Sequence, residues 1–283
     1  MPMSLHPVFA PDAVAVITGA ADGIGLAAAH RYAAFGMHVL MADSQADKLT
    51  WAADAVRAAA GPGVAIETMT LDVSQFEQVL ALKEFAFQRF SRVDVLMNNA
   101  GTSAPTSAWS AHTQWQRIIA VNLGGIVHGV QAFTADMLAQ ARPALIINTG
   151  SKQGITNPPG NPAYNVSKAG VKSLTESLQH ELRNTPGAQV SAHLLVPGYT
   201  WTGLTRQRLA EKPDGAWLPA QVVDYMLDAI ARGSFYIICP DNEVCRADDA
   251  KRMVWAAYDM AEDRPPLSRW HGGYQQAFKD FEP

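Results

Sequence analysis

The sequence predicts a doubly wound α/β fold: one parallel seven-stranded sheet with helices on both faces and a helical C-terminal extension. Three observations predict it. Short apolar runs alternate with stretches of helical length without a break from about residue 12 to residue 240. Glycine and proline cluster in the loops that follow those runs. Of the 283 residues, 48% are hydrophobic and 17% charged, which is ample for a core of ordinary density.

The elements follow in order. Ala13–Thr18 is a glycine-punctuated strand, and Ile24–Phe35 has the Ala-rich pattern of a helix packed on a sheet. His38–Asp43 reads as a buried strand, Ala46–Ala60 as a helix and Val64–Leu71 as a third strand. Ser74 and Glu77 stand at capping-box spacing and should open a helix to Phe90. Val93–Met97 is followed by a long helix near Thr113–Ala141, Ala144–Asn148 by a helix near Ala163–Asn184, and Val190–Val196 and Tyr236–Cys239 close the sheet. Such strands are covered on both faces, with right-handed crossovers and a ligand crevice at their carboxyl ends. Past Pro240 come a helix near Ala247–Glu262, the breaker Pro265-Pro266 and an aromatic tail holding Trp270, Tyr274, Phe278 and Phe281. One domain over 1–283 is expected, its core at about 12–240 and the extension at about 241–283.

Charge and cysteine content exclude several classes. Twenty-two Lys and Arg against 26 Asp and Glu give a net charge of −4, with no electrostatic footprint for nucleic acid or an anionic membrane. Cys239 and Cys245 lack metal or disulfide spacing and read as free thiols of a reducing compartment. Without a signal-like start or an uninterrupted apolar run of about 20 residues, a cytoplasmic protein is expected. P-loop, zinc-protease and nucleophile-elbow patterns are missing, so no metal is expected.

The chemistry lies in the loops. Thr18-Gly19-Ala20-Ala21-Asp22-Gly23-Ile24-Gly25 joins the first strand to the first helix, where glycines admit a pyrophosphate to free N–H groups and a positive helix dipole. Asp43, ending the second strand, can accept from both ribose hydroxyls and would repel a 2′-phosphate, favouring NAD over NADP; the turn itself carries no Arg or Lys. Tyr164 and Lys168 share a helix face. An adjacent ammonium and a cationic nicotinamide ring should together lower the phenol pKa and make Tyr164 an acid/base. Ser151 offers a hydroxyl to the same substrate oxygen, and Asn122 could support a water near Lys168.

Taken in order, Thr18-Gly-x-x-x-Gly-Ile-Gly25, Asp72, Asn98-Asn99-Ala100-Gly101, Asn122, Ser151, Tyr164-x-x-x-Lys168 and Pro197-Gly198 resemble the short-chain dehydrogenase/reductase family in its single-domain Rossmann form. The resemblance spans roughly Val14 to Cys239. It implies that Asn122, Ser151, Tyr164 and Lys168 form a catalytic tetrad, with Lys168 also on the nicotinamide ribose. Asp72 and Val73 would lie at the adenine, Asn99, Ala100 and Gly101 along the cofactor, and Thr202 at the carboxamide, with Thr200 beside it.

The expected reaction is reversible hydride transfer between NAD(H) and a secondary alcohol or ketone. Gln153, Tyr199, Trp201 and Trp217, with the loop around Trp109, suggest a bulky apolar or aromatic substrate held beside Ser151 and Tyr164, since only Lys152 and Arg206 bring positive charge to these loops. These tryptophans would equally serve core packing or a subunit interface. A homodimer or homotetramer is expected from the resemblance and the two long helices. Three alternatives stand beside this reading: an NAD(H)-binding sensor or scaffold without turnover, an NADP-linked carbonyl reductase, and an epimerase or dehydratase.

Overall fold

The computed structural model describes residues 5–206 and 211–283. Its elements are β1 (Val14–Thr18), α1 (Gly23–Ala34), β2 (His38–Asp43), α2 (Ala46–Ala59), β3 (Ile66–Thr70), α3 (Phe76–Phe90), β4 (Val95–Asn98), α4 (His112–Ile119), a π-helical turn (Ala120–Gly124) and α5 (Gly125–Ala139). Then follow β5 (Ala144–Thr149), α6 (Gln153–Thr156), α7 (Pro162–Asn184), β6 (Val190–Val196), α8 (Gly203–Arg206), α9 (Pro219–Ala231), β7 (Tyr236–Ile238), α10 (Arg246–Ala261) and α11 (Gln275–Asp280). Among the described residues, seven strands form one parallel sheet in the order β3-β2-β1-β4-β5-β6-β7. The order reverses beside β1, so the crevice opens between the carboxyl ends of β1 and β4.

Burial on both faces explains the run of apolar residues in the central strands. One face of β1 sends Ala15 and Ile17 toward α1 and α9; the other sends Val16 toward α3 and α5. The helical run 112–139 is by length and composition apolar enough to cross a membrane, but here Ile126, Phe133 and Met137 bury it on the sheet. Two further features hold the sheet's base and middle. Asp94 accepts the Val14 N–H at 2.7 Å and pairs with Arg92 at 2.5 Å. Asn98 donates to Asn148 Oδ1 at 2.9 Å, and Asn148 to Thr175 Oγ1 at 3.1 Å, a buried polar chain from β4 through β5 to α7.

Three sequence expectations need correction. No Ser74–Glu77 capping box forms: Asp72 Oδ1 instead accepts the Ser74 N–H at 2.9 Å, Gln78 Oε1 accepts the Asp72 N–H at 2.8 Å, and α3 begins at Phe76 without a side-chain cap. The long helix is two helices joined by the π-helical turn, because the Asn122 amide leaves the helix to bond the neighbouring loop. A helix not expected there, α9, covers β7 and α1 through Val222, Val223, Met226 and Ile230.

Gly129 of α5 is where helix and sheet come closest. A Cβ there would stand 2.8 Å from Asn98 Cγ and closer still to Oδ1, and the Asn98 side chain is held by its bond to Asn148. Gly129→Ala should lower the unfolding free energy by about 1–3 kcal/mol in urea titrations. A change below about 0.5 kcal/mol would show that the Asn98 chain yields freely.

Candidate active site

The glycine turn follows directly from β1. Gly19 and Gly23 adopt left-handed φ of +68° and +58°, and a Cβ on Gly19 would stand 2.7 Å from Ala100 Cα. At Gly25 a Cβ would meet Asn99 Nδ2 at 2.7 Å and the Gly19 carbonyl carbon at 2.9 Å. Asp22 caps α1, its Oδ1 accepting the Gly23 N–H at 2.6 Å, while Ile24 is buried beneath the turn. The turn is therefore a backbone cradle at a helix N-terminus, the geometry and donor set that suit a dinucleotide pyrophosphate.

Asp43 stands beside it. Its Oδ2 accepts the Ala21 N–H at 3.1 Å and its Oδ1 the Gln45 N–H at 3.0 Å, fixing a carboxylate at the rim. The turn itself carries no basic residue, but two reach it from elsewhere in the chain. Arg206 of α8 pairs with Asp22 at 2.6 Å, and Lys48 of α2 approaches it to 3.7 Å. Neither was visible from the turn's own sequence, because Arg206 lies 184 residues away.

The opposite wall comes from β4. Asn99 donates to Thr18 O at 3.1 Å and Gly19 O at 3.2 Å, and Thr18 Oγ1 accepts from the Asn99 and Ala100 N–H groups. Gly101 brings two expected residues together: a Cβ there would lie 3.5 Å from Asn122 Oδ1 and 3.9 Å from Lys168 Nζ. Val73 is buried against Gly125, and its carbonyl meets His128 Nδ1 at 2.8 Å. Pro197 and Gly198 follow β6, where Gly198 passes so close to Pro240 O that a Cβ would be 2.7 Å away. Thr200 Oγ1 bonds Gly198 O at 3.0 Å, and Thr202 contacts Gly23 across the turn.

Tyr164 and Lys168 lie on the first turns of α7, which Asn161 caps by accepting the Tyr164 N–H at 3.4 Å. Lys168 Nζ is buried, donates to Thr149 O at 2.7 Å and sits 5.9 Å from the Tyr164 ring centre. Asn122 donates to Thr102 O at 2.9 Å and Ser167 Oγ at 3.2 Å, tying the π-helical turn to α7. Ser151 Oγ accepts the Gln153 N–H at 3.2 Å. Lys168 and Asn122 thus meet at Gly101, Tyr164 stands beside Lys168, and the Ser151 side chain is within hydrogen-bonding reach of Tyr164.

Burial dominates the electrostatics of the protein alone. Burial pushes the Tyr164 phenol above its ordinary value, with a hydrogen bond from the Ser151 side chain pulling the other way. Burial also pushes Lys168 down to about 8. The protein alone therefore favours the neutral phenol, because desolvation outweighs the hydrogen bond from Ser151.

The aromatic residues divide. Trp217 packs edge-to-face on Tyr225 of α9 at 6.0 Å and belongs to the core edge. Its backbone pairs with Tyr199 and Trp201 at 2.8 Å each, so these two stand on the strand-like segment beside the crevice. Trp109, in the loop after β4, is 91% exposed.

Comparison with known proteins agrees with this geometry. Residues 13–213 match the short chain dehydrogenase family. The 1-deoxy-11-beta-hydroxypentalenate dehydrogenase of Streptomyces exfoliatus is 32% identical over 263 residues, 90% of this chain and 93% of its own. A short-chain dehydrogenase/reductase from Burkholderia phymatum, solved with NAD, superposes with a TM-score of 0.82 at 33% identity, covering 92% of this chain and 98% of that one. A metagenomic short-chain oxidoreductase solved with NADP gives 0.68 at 28% identity, over 82% and 98%.

The Lys168 shift has a stability consequence whose sign is fixed. A lysine held at about 8 when folded and 10.5 otherwise costs stability wherever both states are protonated, below pH 8, and the cost fades as pH rises to 10.5. Lys168→Met should therefore raise Tm at pH 7, on the scale of about 3 kcal/mol at most, and lose that advantage by pH 10. Melts showing equal or lower Tm at pH 7 would mean the bond to Thr149 O outweighs the desolvation.

Proposed function

The chain belongs to the short-chain dehydrogenase/reductase family, and on that premise we propose that it interconverts a secondary alcohol and a ketone with NAD(H), using Tyr164 as the acid/base. That it is an oxidoreductase of this family with a nicotinamide cofactor follows from the matches. The observation that carries the finer reading is that Asn122 and Lys168 both approach Gly101, with Tyr164 beside Lys168 and the Ser151 side chain in reach of its phenol, at the glycine-lined crevice.

When bound, the nicotinamide supplies the hydride donor or acceptor. Gly19, Gly23 and Gly25 with the N-terminus of α1 would hold its pyrophosphate, Asp43 the adenosine ribose, and Lys168 the nicotinamide ribose. Ser151 holds the substrate oxygen by its hydroxyl. In oxidation, Tyr164 Oη takes the alcohol proton; in reduction it returns it. Lys168, if charged, stabilises the phenolate, and Asn122 fixes the turn that faces Lys168. Since burial alone raises the phenol pKa, the phenolate needs the added positive charge of the oxidised cofactor, which couples proton transfer to the loaded site.

Asp43 supports NAD over NADP, because its carboxylate is pinned at the rim where a 2′-phosphate would sit. A second reading, an NADP-linked carbonyl reductase, is favoured by one observation: Arg206 and Lys48 reach the turn, although both face Asp22. For the substrate we favour a bulky, largely apolar molecule beside Tyr199 and Trp201, with Gln153 at its edge; the Streptomyces relative is named for a hydroxypentalenate. A homodimer or homotetramer in the cytoplasm completes the proposal, the half-exposed Val166 on α7 offering an apolar contact.

Two measurements test this. Fluorescence titration should show NADH binding at least about tenfold tighter than NADPH, with Asp43→Asn narrowing the gap; equal affinities in the parent protein would sink the NAD assignment. The alcohol-oxidation rate should rise with pH as Tyr164 loses its proton and the ketone-reduction rate should fall, while Tyr164→Phe abolishes both and leaves NADH binding within about threefold. A flat oxidation profile would move the proton to another group.

A further inference from the structure

The C-terminal extension reaches the active site through a buried ion triad. Lys152 Nζ lies 2.8 Å from Asp249 Oδ2 and 3.5 Å from Asp241 Oδ2, with side-chain exposures of 18%, 6% and 6%. The three residues come from the turn after β5, from α10 and from the loop after β7. Neither Lys152 Nζ nor Asp249 Oδ2 has an aligned hydrogen-bond partner among the described residues, so charge alone pairs them. Asp241 is itself fixed, its Oδ1 accepting the Glu243 and Val244 N–H groups at 3.1 and 2.8 Å and its Oδ2 the Tyr199 N–H at 3.1 Å.

Lys152 stands between Ser151 and Gln153, the residue whose N–H holds the Ser151 hydroxyl. The Lys152 carbonyl accepts the Ile155 and Thr156 N–H groups at 3.1 and 3.0 Å and the Thr156 hydroxyl at 3.2 Å, so the α6 turn is built on it. From the other side α6 is pressed onto α7: a Cβ on Gly154 would lie 2.5 Å from Lys168 O and 2.7 Å from Ala169 N. Met253 of α10 and Ile155 share one apolar cluster. The short helix after the serine is thus clamped between α7 and the extension.

A nearly buried ammonium facing two carboxylates adds little net stability, but each charge depends on the others, and removing one member leaves a buried charge uncompensated. We propose that Lys152 is a positioning residue for Ser151, and that Asp249 makes the C-terminal extension part of the catalytic apparatus. This rests on the reading of Ser151 as the hydroxyl that holds the substrate oxygen.

The test uses the full chain and three variants, Lys152→Met, Asp249→Asn and Lys152→Arg, of which Asp249→Asn keeps the Lys152–Asp241 pair and is the least disruptive. Hydrogen exchange over residues 151–156 needs no substrate. It should accelerate in Lys152→Met and Asp249→Asn, while kcat on an NADH-coupled carbonyl panel falls about tenfold and NADH affinity stays within about twofold; Lys152→Arg should restore most of the rate. Unchanged exchange at 151–156 in both variants overturns the proposal, as does acceleration spread across the sheet with loss of NADH binding, which marks a purely structural role. Faster local exchange in a protein whose parent turns over no carbonyl would uphold the anchoring of the Ser151 turn and count against the proposed reaction instead.

Discussion

Asn99 carries the constraint on which the mouth of the crevice depends. The carboxyl ends of parallel strands leave carbonyl groups without ladder partners, and a buried orphan costs about 1–3 kcal/mol. One amide answers two of them, Thr18 O and Gly19 O, while Thr18 Oγ1 accepts two N–H groups from the β4 side and Thr149 Oγ1 donates to Asn99 Oδ1 at 3.3 Å. The ends of β1, β4 and β5 become one polar unit. The Thr149 carbonyl then receives Lys168, so the same unit that shapes the glycine turn also places the lysine of α7.

This arrangement explains why the site is electrostatically uneasy. Lys168 must reach into the sheet to find Thr149 O, and in doing so it leaves water; Tyr164, beside it, is deprived of solvent too. Burial disfavours the charged form of both, and helix α7, with 23 residues, an N-cap and a buried face over Val171, Leu178 and Leu182, supplies the packing that offsets the cost. Groups perturbed by burial on a long, well-anchored helix suit the acid/base role proposed for Tyr164.

Strands and motifs were legible in the sequence because burial on both faces writes a continuous apolar run and the glycine turn, Ser151 and Pro197-Gly198 directly follow such runs. Val14–Thr18 and the glycines after it, or Ala144–Thr149 and Ser151, need no distant partner to be found. The π-helical turn was illegible because the period continues through Asn122, and only the competing acceptor at Thr102 breaks it. Helix α9 was legible yet unread: Pro219 at its start and Val222, Val223, Met226, Leu227 and Ile230 carry the helical period. Charge pairing was beyond reach. Arg206 meets Asp22, and Lys152 meets Asp249, across stretches of chain whose closure only the folded sheet decides, and the direction of the Tyr164 shift turns on burial that spacing does not encode.

The extension divides its own labour along the same lines. Trp255 is enclosed by Tyr274, Phe278 and Phe281 at 5.3–6.5 Å between ring centres, with Arg264 over its face at 4.5 Å and Ser268 Oγ accepting its indole N–H at 2.8 Å. Such a cluster supplies adhesion through area, and aromatic contacts tolerate small slides because their energy varies gently with offset. An ammonium between two buried carboxylates tolerates them less, since separating the charges leaves one of them buried and uncompensated. The aromatic residues therefore hold the extension together, whereas Lys152, Asp241 and Asp249 set where it stands relative to Ser151 and to the Tyr199 segment. A tail held by packing alone could leave the serine turn free to drift, and the ion triad removes that freedom.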